Sequence, residues 1–144
     1  MTASAPRNTR EVVEAWIRAF QVRSPERLAA LYAPNATNWQ VADEPVQGRE
    51  AIQAMFTAFF QAFPDSYTDP VNLMVEGNWA ACEWSGGGTF SGDLGPLRAT
   101  GRSYRLRGCG IFMIRDGQII EQRGYWDKRT WASQLGVDLD ASLR

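Results

Sequence analysis

A chain of 144 residues with 44% hydrophobic residues, 22% charged residues and a formal net charge of −1 reads as one globular domain able to bury its own core. That charge offers no basic field for nucleic acid or an anionic membrane, no apolar run is long enough to span a bilayer, and Cys82 and Cys109 make no disulfide framework. No histidine is present, which excludes Ser–His and Cys–His pairs and nearly every common zinc site; acid–base work falls to carboxylates, tyrosine, lysine or water.

Met1–Pro6 has neither the charged start nor the apolar stretch of a signal peptide, so residues 1–7 are expected to be a loose tail on a cytoplasmic protein. Asn8-Thr9-Arg10-Glu11 spells a capping box, and Val12, Val13, Trp16, Ile17 and Phe20 give the helix that follows one apolar face. Ser24-Pro25-Glu26 opens a second helix, with Ser24 as N-cap and proline in the first turn; Leu28, Leu31 and Tyr32 continue it until Pro34-Asn35. Ala36 to Gln40 reads as a short strand. Gly48-Arg49-Glu50 opens a third helix carrying Phe56, Phe59, Phe60 and Phe63 at helical spacing, and Pro64 ends it.

Strands then dominate. Tyr67 to Val75 contains Pro70 and so starts on an edge; Trp79 to Phe90 follows the turn Glu76-Gly77-Asn78. Thr100 to Ile114 and Gln118 to Trp126 flank Arg115-Asp116-Gly117, a strong hairpin signal. Asp127 caps a last helix through Leu135, Gly136 closes it, and residues 137–144 form a C-terminal tail. The order of helix, helix, strand, helix and a four-stranded meander predicts a single α+β domain over 1–144, with a curved antiparallel sheet wrapped around the N-terminal helices.

The hairpin allows two registers. A two-residue type I′ turn at Asp116-Gly117 sets Phe112 opposite Glu121; a type I turn with Gly117 as a G1 bulge sets Phe112 opposite Ile120, Leu106 opposite Trp126 and Gly108 opposite Gly124. Pairing apolar with apolar favours the bulged register. One face then carries Leu106, Gly108, Gly110, Phe112, Ile120, Gln122, Gly124 and Trp126. The other carries Arg105, Arg107, Cys109, Ile111, Met113, Ile119, Glu121, Arg123 and Tyr125. Three glycines on an apolar face mean that something approaches closely: a packed helix, a bend, or a ligand in a cavity with a glycine floor.

With these residues in hand, the chain resembles a known superfamily. Gly48-Arg49-Glu50-Ala51-Ile52 and Thr100-Gly101-Arg102-Ser103-Tyr104 are similar to segments of nuclear-transport-factor-2-like proteins. Gly110-Ile111-Phe112, Arg115 to Ile119, Tyr125-Trp126-Asp127 and Gln134-Leu135-Gly136 resemble SnoaL-like polyketide cyclases and limonene epoxide hydrolase. The resemblance implies a cone-shaped α+β barrel around an apolar pocket. It does not imply one reaction, because isomerases, dehydratases, cyclases, epoxide hydrolases and plain binders share that fold. The cyclase aspartate and histidine fall on Gly124 and Gly110, and the epoxide-hydrolase Asp-Arg-Asp set falls on Ser85, Glu83 and Gly124; none of these types is kept.

The resemblance turns the face of Glu83 and Ser85 into the pocket, where desolvation would raise a carboxyl pKa and suit it to proton transfer. The alternative has Glu83 in solvent and its neighbours Cys82 and Trp84 in the core, as the burial preference of Trp and Cys suggests. Asn38 and Gln40, on one strand face, either polarise a substrate carbonyl or make ordinary strand hydrogen bonds. Asp127 is an N-cap before it is anything else. The phenylalanines at 59, 60 and 63, with Ser85, Leu106, Gly108, Phe112, Gly124, Trp126 and Trp131, are the expected ligand-contacting set. No residues are expected to hold a metal.

The resulting expectation is a cofactor-independent enzyme transferring a proton next to a carbonyl, leading to cyclisation, isomerisation or dehydration of a polyketide-like or cyclic molecule. Alternatives are a non-catalytic binding or dimerisation module of the same fold and an epoxide hydrolase with a rearranged site. A second inward carboxylate would favour an enzyme; a cavity of aromatics and amides would favour a binder. Apolar Ile111, Met113, Ile119 and Tyr125 on the charged outer face suggest a homodimer.

Overall fold

A computed structural model describes residues 7–41 and 43–140, so the expected tails lie outside the description at 1–6 and 141–144. Helix α1 (Thr9–Gln21) starts as its capping box requires: the Asn8 side chain accepts from the Glu11 N–H at 2.9 Å and the Glu11 carboxylate accepts from the Asn8 N–H at 3.2 Å. Helix α2 (Pro25–Ala29) is shorter than expected, because strand β1 (Tyr32–Gln40) has already begun where the helix was to continue. Two non-local contacts decide this. The Leu31 carbonyl accepts from the Ile119 N–H, and the Tyr32 carbonyl accepts twice from the Arg49 guanidinium, at 2.9 and 2.7 Å. Pro34 sits where the pairing of β1 is irregular, so its missing donor breaks no regular ladder.

Strand β2 (Val46–Gln47) and helix α3 (Arg49–Ala62) follow, then β3 (Tyr67–Glu76), β4 (Trp79–Thr89), β5 (Ser103–Arg115), β6 (Gln118–Tyr125) and α4 (Lys128–Leu135). The six strands form one curved, unclosed sheet in the order β2-β1-β6-β5-β4-β3. Edge strand β3 accommodates Pro70 beside an irregularity. The sheet is not wholly antiparallel as expected: β1 runs parallel to β6, since the long excursion between them lets the chain return in the same direction. Among the described residues no helix is long and apolar enough to cross a membrane.

The hairpin closes through the two-residue turn, not the favoured bulged one, and a bulge farther along then shifts it to a register not anticipated. Asp116 and Gly117 both have positive φ, 51° and 75°, as a two-residue type I′ turn requires, and Arg115 pairs with Gln118. The bulge lies instead within β6. Ile114 pairs with Ile119 but Met113 with Glu121, leaving Ile120 as the extra residue. Phe112 therefore faces Gln122 and Gly110 faces Gly124. This register lies two residues from the expected one, so the faces beyond the bulge survive; on its turn side Ile119 points inward and is fully buried, not on the outer face.

The core has two clusters. One joins Val12, Trp16 and Phe20 of α1 to Phe56 and Phe60 of α3 and Phe112 of β5. The other joins Phe63, Phe90 and Leu106 to Trp131 and Leu135 of α4. Val137 and Leu139 pack against the second cluster, so this part of the expected C-terminal tail belongs to the domain.

Candidate functional site

Between the two clusters, on the concave face of the sheet, lies a cavity of about 460 Å³. Its inner end is formed by buried Trp16, Phe20, Phe56, Cys82, Phe112 and Gln122, whereas exposed Asp43, Glu44 and Pro96 and part-exposed Lys128 stand at its rim. A volume of this size, with apolar walls and few polar groups, suits an organic molecule of several rings.

Of the expected contact residues, Phe59, Leu106, Phe112, Gly124, Trp126 and Trp131 line the cavity, as does Gln40. Phe60 and Phe63 lie behind the wall. Phe60 stacks on Phe56 at 6.1 Å between ring centroids and Phe63 on Phe90 at 5.2 Å. Glu83 is corrected outright: it is exposed on the convex face, where its carboxylate accepts from the Asn72 side chain at 2.7 Å. Ser85 shares that face by strand alternation and does not line the cavity. The residues of β4 that line the cavity are Cys82 and Trp84.

The glycine floor is also corrected, because two of its glycines are already covered. A Cβ on Gly108 would clash with the Trp84 ring, and one on Gly124 would clash with Gln40 Oε1. These glycines admit an indole and a carboxamide across the sheet; of the three, Gly110 and Gly124 reach the cavity lining. The place where resemblance puts a catalytic aspartate is thus filled by the Gln40 amide.

Gln40 belongs to a chain of hydrogen bonds that is part-buried at Trp126 and Gln40 and buried from Asn38 onward. Trp126 Nε1 donates to Gln40 Oε1 at 3.0 Å, Gln40 Nε2 donates to Asn38 Oδ1 at 2.7 Å, and Asn38 Nδ2 donates to Gln122 Oε1 at 3.1 Å. From the other side Trp16 Nε1 donates to the Tyr32 hydroxyl at 2.9 Å, and that hydroxyl donates to the same Gln122 oxygen. Burial pushes the Tyr32 phenol well above its ordinary value of 10.0, outweighing its hydrogen bonds to Trp16 and Asn38, so it remains a neutral donor. Tyr104, also on the cavity, is raised chiefly by burial, and the Cys82 thiol likewise.

Gln122 is the central residue that the sequence did not single out; its only signal was a polar side chain on the apolar face of the last hairpin. Carboxylates at the cavity, among the described residues, are Asp43, which pairs with Lys128, and Glu44. Asp127 is an N-cap, accepting from the Thr130 N–H at 2.9 Å and from its hydroxyl, bonds that hold its carboxyl below the ordinary value. No group of three or more His, Cys, Asp or Glu side chains is gathered as metal ligands among the described residues.

The model of the SnoaL-like domain matches residues 13–122, well over half of the chain. None of the curated proteins matches. Among solved structures, the candidate SnoaL-like polyketide cyclase of Jannaschia sp. CCS1 superposes with a TM-score of 0.79 at 20% identity, covering 96% of this chain and 99% of that one. A candidate polyketide cyclase of Xanthomonas campestris pv. campestris gives 0.80 at 23% identity, with 92% and 99% covered. A Catenulispora acidiphila protein with a ketosteroid isomerase-like fold, solved with trimethylamine, gives 0.78 at 20% identity, with 92% and 97% covered. These likenesses establish the fold.

Proposed function

We propose, for a chain that belongs to the SnoaL-like domain family, that the cavity takes an apolar, ring-forming or cyclic carbonyl compound and promotes its cyclisation or isomerisation. The observation that carries this reading is an aromatic-walled cavity, open at its rim, with one buried carboxamide, Gln122, lining its inner end. An amide N–H on a carbonyl oxygen stabilises the negative charge that develops there as an adjacent proton leaves. The walls hold a flexible chain in the folded geometry that ring closure needs. With the carbonyl on Gln122 at the inner end and Asp43 and Glu44 at the rim, the proton acceptor is a water held beside the substrate, in place of Glu83.

Non-catalytic binding is the second reading. It is favoured by one observation: aromatics, Cys82 and one amide, without a carboxylate, make up the buried end. Epoxide hydrolysis has no such support, because Glu83 and Ser85 turn away from the cavity.

Exchange of the α-protons of 2-tetralone in D₂O, followed by NMR, separates the two. A catalyst accelerates exchange at least tenfold over buffer. Bound probe exchanging at the buffer rate leaves the binder. A probe that does not bind at saturating protein contradicts both.

A further inference from the structure

Indole nitrogens donate hydrogen bonds and cannot accept them. One indole stands at each end of the polar chain, and together they fix the direction of every bond between them. Trp126 requires the oxygen of Gln40; the nitrogen of Gln40 then requires the oxygen of Asn38; the nitrogen of Asn38 then requires the oxygen of Gln122. Trp16 fills the acceptor side of the Tyr32 hydroxyl, whose proton must therefore also go to Gln122. Two donors meet on that oxygen. Reversing any one amide would bring N–H against N–H within the same chain.

The Gln122 nitrogen is what remains. It has no hydrogen-bond partner among the described residues, it is not among the fully enclosed unpartnered atoms, and its residue lines the cavity. Both its protons are left for a ligand.

We infer that the inner end of the cavity is selective for a bare acceptor oxygen, a ketone or quinone carbonyl on an apolar ring system, over a hydroxyl on the same ring. This rests on the cavity reading above and adds a discrimination at the inner end, a carbonyl taken over a hydroxyl on the same ring. A carbonyl oxygen receives the Gln122 N–H directly. A hydroxyl in the same place must also find an acceptor for its own proton. Gln122 Oε1 already takes two donors, Asn38 does not line the cavity, and the residues that share the inner end with Gln122 are Trp16, Phe20, Phe56, Cys82 and Phe112, none of which offers a side-chain acceptor oxygen. The network holds this polarity across neutral pH, since Tyr32 stays protonated and none of its other members titrates.

Three nearly isosteric probes test the inference: 9-fluorenone, 9-fluorenol and fluorene, titrated against the whole chain by tryptophan fluorescence. Fluorenone is expected to bind roughly 3- to 10-fold more tightly than either of the others, the scale of one net hydrogen bond. Its carbonyl stretch is expected to fall to lower wavenumber on binding. Gln122→Met is expected to bring fluorenone and fluorene within twofold of each other while leaving fluorene affinity intact. The infrared shift in the unaltered chain decides the matter if that variant does not fold. Equal affinities with an unshifted band, or tighter binding of fluorenol, would overturn the inference and leave the cavity reading standing. Failure of all three to bind would overturn the cavity reading itself.

Discussion

Glu83 and its two neighbours show how residue-level preferences and family resemblance can point opposite ways. Burial preference alone puts Cys82 and Trp84 inward, and that is how β4 lies; the resemblance put Glu83 inward. Glu83→Gln is therefore expected to leave probe affinity unchanged within twofold in a fluorescence titration; a tenfold loss would mean that the carboxylate reaches the cavity. Gly124 is a stricter case. A methyl group there meets the Gln40 amide, and moving that amide unpairs Trp126 and Asn38. Gly124→Ala is expected to destabilise the fold by about 1–3 kcal/mol, the range for overpacking and a broken buried hydrogen bond. Urea denaturation with an unchanged midpoint would refute this. Tyr32 adds a pH signature. Its folded pKa lies above the unfolded value, so its share of stability is complete below pH 10 and is lost as the pH rises above that. Thermal melts should show a steeper alkaline loss for the native chain than for Tyr32→Phe; parallel curves would exclude Tyr32 as a contributor.

At the scale of elements, what could be read from the sequence was what local chemistry decides. The Asn8–Glu11 box and the Asp127 cap lie where their residues put them, because each needs only neighbours three positions away; the turn at Asp116-Gly117 was placed correctly but closes as type I′, not with the favoured G1 bulge. The start of β1 and the bulge at Ile120 were not legible. The first is set by Arg49 and Ile119, distant in sequence, and the second by a register in which Ile119 is buried and Gln122 faces the cavity. The glycines of β5 and β6 announced a close approach but not its occupant, since neither Trp84 nor Gln40 is marked as the group that enters. Gly117 tests the turn. Its φ of 75° suits glycine, so Gly117→Val is expected to lower stability by about 1–2 kcal/mol in a urea melt. No loss would mean the hairpin closes through another turn.

For the whole molecule, the order of elements sufficed for an α+β domain, while the parallel return of β1 beside β6 followed from topology that periodicity does not encode. The convex face of the sheet remains to be covered. Register places Trp39, Arg123, Tyr125, Trp79 and Met74 on it, and the four apolar members are each at least 40% exposed. Arg123 lies over the Trp79 ring at 5.7 Å. We propose a second copy of the chain as the partner for this face, with Ile111 and Met113 near its middle and Ile119 excluded. Sedimentation at micromolar concentration should give a dimer that Trp79→Glu dissociates; a monomer of the unaltered chain would reject it.

The cavity itself is most directly tested by a crystal structure of the complex with 9-fluorenone. The ring system is expected among Phe59, Phe112 and Trp126, with its oxygen about 2.7–3.2 Å from Gln122 Nε2. An empty cavity at saturating probe, or a bound ring with its oxygen turned to the rim, would contradict the account.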